Sequence, residues 1–391
     1  MLGSIYVGLS GLQSYSSGLQ KVSNNVSNLN STGFKTTNVT FSNIENSRDS
    51  GGATLFDGAG SSGGGVGLGE DVLNLKSGEL RASDRDLDLA VDGSGFLVLI
   101  KDGEQRYART GSFEVDKNGY IVLAGTDWRL GVLDSSGKAV AVTIDASRTD
   151  APVATTRIAF ADNLSSTATS HTLSSLSVYD SLGKKHAWNL AFSRAENSSD
   201  WTVAVTDSTG AAIGSGTLSF ANGLPTAATS SITISDSGSG LSVVLDFASS
   251  VTSFSSGTVS TLRSASIDGH AVGAITTVAV NPAGEIELKY SNDQTKTLGA
   301  VALATFRDPS AIIQESAGRF SAEDAAQVQL LASADERVGL VKSRVLEASN
   351  VDLSKEFGDL ILIQRGYQAS SQIISVSNDM IQQLFGIRGQ G

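Results

Sequence analysis

Both ends of the chain repeat apolar residues at helical spacing, while the stretch between them alternates at the two-residue period of strands. That contrast restricts the fold more than any other feature. Near the N-terminus, Ile5, Leu12, Tyr15, Leu19, Val22, Val26 and Leu29 fall at steps of seven, three, four, three, four and three. This is a heptad seam with one gap at Gly8, beside which Leu9 can lean in. Ser, Gln, Asn and Gly make up the opposite face. Gly8, Gly11 and Gly18 lie inside the same helix, and each costs about 1 kcal/mol relative to Ala. Such a helix is weak alone and is expected to need a partner, and glycine lets that partner come close. The pattern stops at Asn30-Ser31-Thr32-Gly33, where Gly33 suits the left-handed position that ends a helix. At the other end Leu353, Phe357, Leu360, Tyr367, Ile374, Ile381 and Phe385 recur at sums of three and four. Asp352 is the best N-cap candidate ahead of them. The two terminal helices are expected to be neighbours in space.

The middle is patterned for β-structure. Residues 42–70 read as a loop, because runs such as Gly63-Gly64-Gly65-Val66-Gly67-Leu68-Gly69 cannot hold regular structure cheaply. Leu87, Leu89 and Val91 then alternate with Asp86, Asp88 and Asp92, which reads as a strand with a solvated acidic face. Phe96-Leu97-Val98-Leu99-Ile100 is a buried-strand run, and Lys117-Asn118-Gly119 is a hairpin turn before the strand starting at Tyr120. From about 148 to 265 Ser, Thr, Ala and Gly dominate, with no Lys or Arg between Ala195 and Leu262. Short alternating runs such as Trp201–Val205 and Leu241–Leu245 are too regular for a disordered Ser/Thr tract, so this stretch reads as a second β-module inserted into the first. The expected fold is mainly β with terminal α-helices. Its parts are an N-terminal core helix over 1–33, a Gly-rich linker over 34–70, and a discontinuous β-domain over 71–147 and 266–349. An inserted β-domain over 148–265 and a C-terminal core helix over 350–391 complete it, the two helices forming a coiled-coil core.

Composition removes several chemistries. The chain has 391 residues, no cysteine, three histidines and a formal net charge of -12. Without cysteine there are no disulfides, thiolate metal sites or cysteine nucleophiles. His171, His186 and His270 are far apart in sequence, and no metal or cofactor is expected. The acidic balance argues against binding nucleic acid or an anionic membrane, since phosphate affinity comes from Lys and Arg. No stretch reaches the roughly 20 apolar residues of a membrane helix. The opening residues lack the basic segment of a secretory signal, so the start is expected to stay on the mature chain. Asp84-Arg85-Asp86-Leu87-Asp88 resembles the start of a calcium loop, but its sixth and twelfth positions, Leu89 and Gly95, break that pattern. Gly65-Val66-Gly67-Leu68-Gly69 follows no strand and opens no helix, so it does not qualify as a dinucleotide loop. No acid, base and nucleophile assemble, and no catalysis is expected. What is left is two helices that are association devices.

Three motifs in order carry a family resemblance. Asn24-Asn25-Val26-Ser27-Asn28-Leu29-Asn30-Ser31-Thr32-Gly33-Phe34-Lys35 resembles the N-terminal signature of the bacterial flagellar axial proteins, those of rod and hook. Glu347-Ala348-Ser349-Asn350-Val351-Asp352-Leu353-Ser354-Lys355-Glu356, followed by Gln364-Arg365-Gly366-Tyr367, is similar to their C-terminal signature. Leu87 through Phe96 and Tyr107 through Phe113 resemble their shared β-domain, with Leu97 where the family usually has a second Phe, a volume-tolerant core swap. The length and the insert at 148–265 are most similar to those of hook members. The signature positions carried over are Asn24, Asn25, Gly33, Phe34, Lys35, Asn350, Asp352, Gln364, Arg365 and Tyr367.

The resemblance implies a structural subunit whose copies build a curved, hollow tube that bends while it passes torque. Paired terminal helices would line the tube, with the seam residues named above at subunit interfaces, and the β-modules would form outer layers. Implied partners are the chain itself, the distal-rod and hook–filament junction proteins, a hook cap and the flagellar type III export apparatus. The implied location is the flagellum, outside the cell after export. A rod-type axial protein is the nearest alternative, and an adhesive β-module with coiled-coil ends is a more remote one.

Overall fold

The computed structural model describes residues 2–44, 65–69, 72–196 and 198–388. The body of the Gly-rich stretch, 45–64, lies outside the described residues. Two helices frame a β-rich chain, α1 (Leu2–Ser27) and α2 (Leu353–Arg388). The helix α1 ends before Gly33. Near its end Ser27 Oγ donates to Ser23 O at 2.8 Å and Asn28 Nδ2 donates to Asn24 O at 2.9 Å. Such side chains compete with the helical ladder and favour its termination. Gly33 does take a left-handed conformation, with φ +72, but after an intervening turn. At α2 the Asp352 carboxylate accepts from the amides of Ser354 and Lys355, at 2.8 and 3.3 Å, and so serves as the cap expected of it.

The chain divides into two compact units. The first takes in 1–145, 278–287 and 297–391, and the second takes in 146–277 and 288–296. In the first, short strands stand at both ends of the stretch read as linker. Phe41–Asn43 pairs antiparallel with Val66–Leu68, and Thr37–Asn38 with Val72–Leu73. They lie against α1, where Ser14 Oγ donates to Val66 O at 2.8 Å and the rings of Tyr15 and Phe41 are 4.9 Å apart.

The body of the first unit is a 12-stranded sheet. Its strand Phe96–Lys101 is buried on both faces: Leu97 and Leu99 enter one core, Phe96 and Val98 another. That double burial is why the run reads as continuously apolar. The hairpin after Thr110–Val115 is closed by Asp116, whose carboxylate accepts from the amides of Asn118 and Tyr120 at 2.8 Å each, with Gly119 at φ +77. The strand Asp88–Asp92 departs from its sequence reading. Its acidic face is solvated only in part: Asp92 keeps 52% exposure, and the strand Leu340–Ser343 pairs along the edge rather than over that face. Asp88 is buried and accepts from Ser83 Oγ at 2.5 Å, while Lys342 pairs with Asp92 at 2.5 Å and Arg344 with Asp86 at 2.6 Å. These cations are too far along the chain for local alternation to reveal.

The second unit packs a five-stranded sheet (Ser170 to Pro225) and a four-stranded one, in which Arg157–Asn163 runs parallel to Leu241–Thr252. Inward-facing residues of both sheets form one core around Trp188, Trp201, Phe160, Phe192 and Phe247. The Ser and Thr residues alternate outward between them, the division expected of a sandwich. Among the described residues no helix is long and apolar enough to cross a membrane.

Candidate assembly interface

The helices α1 and α2 lie antiparallel. Ser4 Oγ and Ser377 Oγ meet at 3.1 Å near one end, and Asn25 Nδ2 donates to Glu356 Oε2 at 3.1 Å near the other. The contact stripe on α1 runs through Ser4, Gly8, Gly11, Tyr15 and Gly18, with Val22 buried in the same row. A methyl placed on Gly8 would lie 2.7 Å from Ile374 Cγ1, one on Gly11 2.4 Å from Ser370 Oγ, and one on Gly366 2.4 Å from the Tyr15 ring. No real side chain fits at such distances. Gly8, Gly11 and Gly366, each costly in a lone helix, are where the facing helix comes close, so their conformational cost is offset by close packing.

This closing stripe keeps the 3-4 period of the sequence but sits one residue round the helix from the apolar series. Of the residues expected on the seam, Tyr15, Val22 and Ile374 lie on it. Ile5, Leu12, Val26, Leu29, Leu360 and Ile381 are half-buried beside it, and Leu19, Leu353, Phe357 and Tyr367 are exposed. Further large apolar side chains outside that series also face solvent, among them Leu9 at 57% and Leu362 at 68% exposure. Small residues and a few large ones thus close the pair within the chain, and other large apolar side chains are left on its outside.

At the foot of the pair the signature residues converge. Lys35, Arg109 and Glu347 are wholly buried. Glu347 stands between the two cations, its Oε1 2.5 Å from Lys35 Nζ and its Oε2 3.0 Å from Arg109 Nε. Burial pushes the Lys35 amine below its usual range, the neighbouring Glu347 carboxylate opposing that shift. Asn350 forms a second tier: its Oδ1 accepts from the Thr36 amide at 2.8 Å and its Nδ2 donates to Asn74 O at 2.7 Å. Asn25 binds both main-chain groups of Thr37, donating to its carbonyl and accepting from its amide at 3.1 and 3.2 Å. The Gly33 amide donates to Glu347 O at 2.8 Å, and Phe34 is buried next to it. Asn24 accepts from Asn28 Nδ2 at the end of α1, while Gln364 and Arg365 are exposed on α2. Arg109 and Glu347 had no role assigned from sequence. The available signal was a lone charge set among apolar neighbours, as in Val345-Leu346-Glu347-Ala348.

Residues 143–327 match the family model for the flagellar basal body protein FlaE D2 domain, and residues 342–387 that for the flagellar basal body rod FlgEFG protein C-terminal region. The flagellar hook protein FlgE of Borreliella burgdorferi is 26% identical over 450 residues, taking in 99% of this chain and 100% of that protein. Its counterpart in Salmonella typhimurium is 29% identical over 420 residues, with 97% of this chain and 98% of that protein covered. Among solved structures, the Helicobacter pylori flagellar hook protein FlgE2 covers 68% of this chain and 99% of its own at 12% identity and a TM-score of 0.48, a likeness too loose to argue from.

Proposed function

The chain belongs to the flagellar hook protein family, and from that premise we propose that copies of it polymerise through the outer faces of the α1–α2 pair into a curved, hollow tube that passes torque while bending. It is a structural subunit of the flagellar hook and basal body. The observation that carries the polymer reading is the row of large apolar side chains left on the outside of the pair, such as Leu9, Phe357, Leu362 and Phe385. Burying such area is worth about 25 cal/mol per Å², and the exposed row is too extensive to be ordinary scatter. Neighbouring copies are its occupants, because the helices of each copy present the same kind of face to the next.

The yielding contacts between copies are assigned to the second unit. Its Ser/Thr/Gly-rich strands between Ala195 and Leu262 carry no Lys or Arg, so no strong ion pair locks one register there. The chain does no chemistry of its own in this reading. Its other partners are the distal-rod and junction proteins, a hook cap and the type III export apparatus, which delivers it outside the cell.

Electron microscopy of a strain lacking this chain, with and without complementation, tests the function. Curved tubes that vanish with the chain and return with it support the hook reading. Straight tubes restored by complementation would favour a rod-type subunit, and normal hooks in the deletion strain would overturn both.

A further inference from the structure

Lys35 and Glu347 are separated by 312 residues, yet their side chains meet in a site with no exposure to water. The surroundings of the two cations differ. Arg109 donates to a cage of main-chain oxygens: Nη1 to Gly95 O, and Nη2 to Gly93 O at 2.6 Å and Val91 O at 3.2 Å. Ser77 Oγ also accepts from Nη2, at 3.1 Å, so the two protons of that nitrogen are shared among three oxygens. Lys35 Nζ donates to Glu347 Oε1 and to a single carbonyl, Lys76 O, at 2.6 Å. Glu347 Oε1 also accepts from the Gly78 amide at 2.8 Å. Arg109 is therefore well solvated by the sheet whether or not Glu347 is present. Lys35 is not, and burying its charge without the carboxylate leaves it stranded.

We propose that the Lys35–Glu347–Arg109 triad is a co-docking latch: the N-terminal segment that leads out of α1 and the C-terminal segment that leads into α2 are held on the sheet together, each stabilising the other. Arg109 in its cage receives Glu347, and Glu347 then makes a place for Lys35. The main-chain bond from Gly33 to Glu347 and the Asn350 side-chain bond to Thr36 join the same two segments. The root of α1 is thus fixed only when the root of α2 has arrived, so neither helix is offered to a neighbouring copy singly. Because the coupling is a free energy between two docking events, it acts equally in both directions.

Hydrogen exchange on the soluble full-length chain tests this with Glu347→Gln, which preserves shape and removes the charge. The latch predicts that exchange of the amides of Gly33 to Thr37 and of the last turns of α1 speeds up roughly a hundredfold or more, the order expected for one stranded buried charge. Exchange in the core strands Phe96–Lys101 and Thr110–Val115 should be unchanged. Adding Lys35→Met to Glu347→Gln should restore part of the protection. Faster exchange confined to the C-terminal segment, with residues 33–37 protected as in the wild type, overturns the latch. If Glu347→Gln alone does not fold, Lys35→Met decides the matter. Loosening of 346–352 together with 33–37 supports reciprocity, and loosening of 33–37 alone contradicts it.

Discussion

Glu356, in the first turn of α2, is almost wholly buried and takes its hydrogen bond from Asn25. Burial pushes its carboxyl above the usual range; the Asn25 bond and Lys355 oppose that shift, and Asp359 and Asp352 add to it. The folded chain therefore keeps a proton on Glu356 at a pH where the unfolded chain has lost it. For a carboxyl raised in this way the contribution is most favourable below the unfolded value and declines as pH rises through the folded one. Glu356→Gln retains an acceptor for Asn25 and removes the titration. We expect the difference in denaturation midpoint between variant and wild type to move in the variant's favour from acid to neutral pH. A difference that stays flat across that range would show the site to be free of titration. Residues at this scale were unevenly legible. The Asp352 cap was readable because its partners are the next residues along the chain. Arg109 was not, because the carboxylate that explains it lies 238 residues away.

At the scale of elements, the two faces of the helix pair make separable predictions. Gly366→Leu drives a side chain into the Tyr15 ring. It should cost about 1–3 kcal/mol through overpacking and lower the helical content of the soluble chain, read by circular dichroism and melting. Leu362→Asp changes an exposed position. It should leave the melting of the soluble chain within about 0.5 kcal/mol yet abolish assembly, since a polymer would bury the charge unpaired. Loss of helix in Leu362→Asp, or normal assembly by it, would misplace the outer face. The existence of both helices and their 3-4 period were legible, because spacing is local. The phase was not. Gly and Ser look like the polar side of an isolated helix, and only contact with α2 makes them the inner one. The strands were legible where both faces are buried, as at Phe96–Lys101, and misleading only where distant chain buries one member of an acidic face, as at Asp88.

Over the whole molecule, the core of the second unit is drawn entirely from residues between Ile158 and Leu262, and those of the first unit use none of them. Removing 148–265 and joining the ends should therefore leave a folded remainder that still assembles, with altered bending. A wholly unfolded product, seen by circular dichroism, would show the cores to be interdependent. The polymer interface itself admits a direct test, because the chain contains no cysteine. A single cysteine at Leu9 or at Leu362 can be labelled with a maleimide in the soluble chain and again after assembly. If the outer faces of α1 and α2 hold the copies together, both positions react readily in the soluble chain and become protected in the polymer. Equal reaction rates in the two states would contradict that placement.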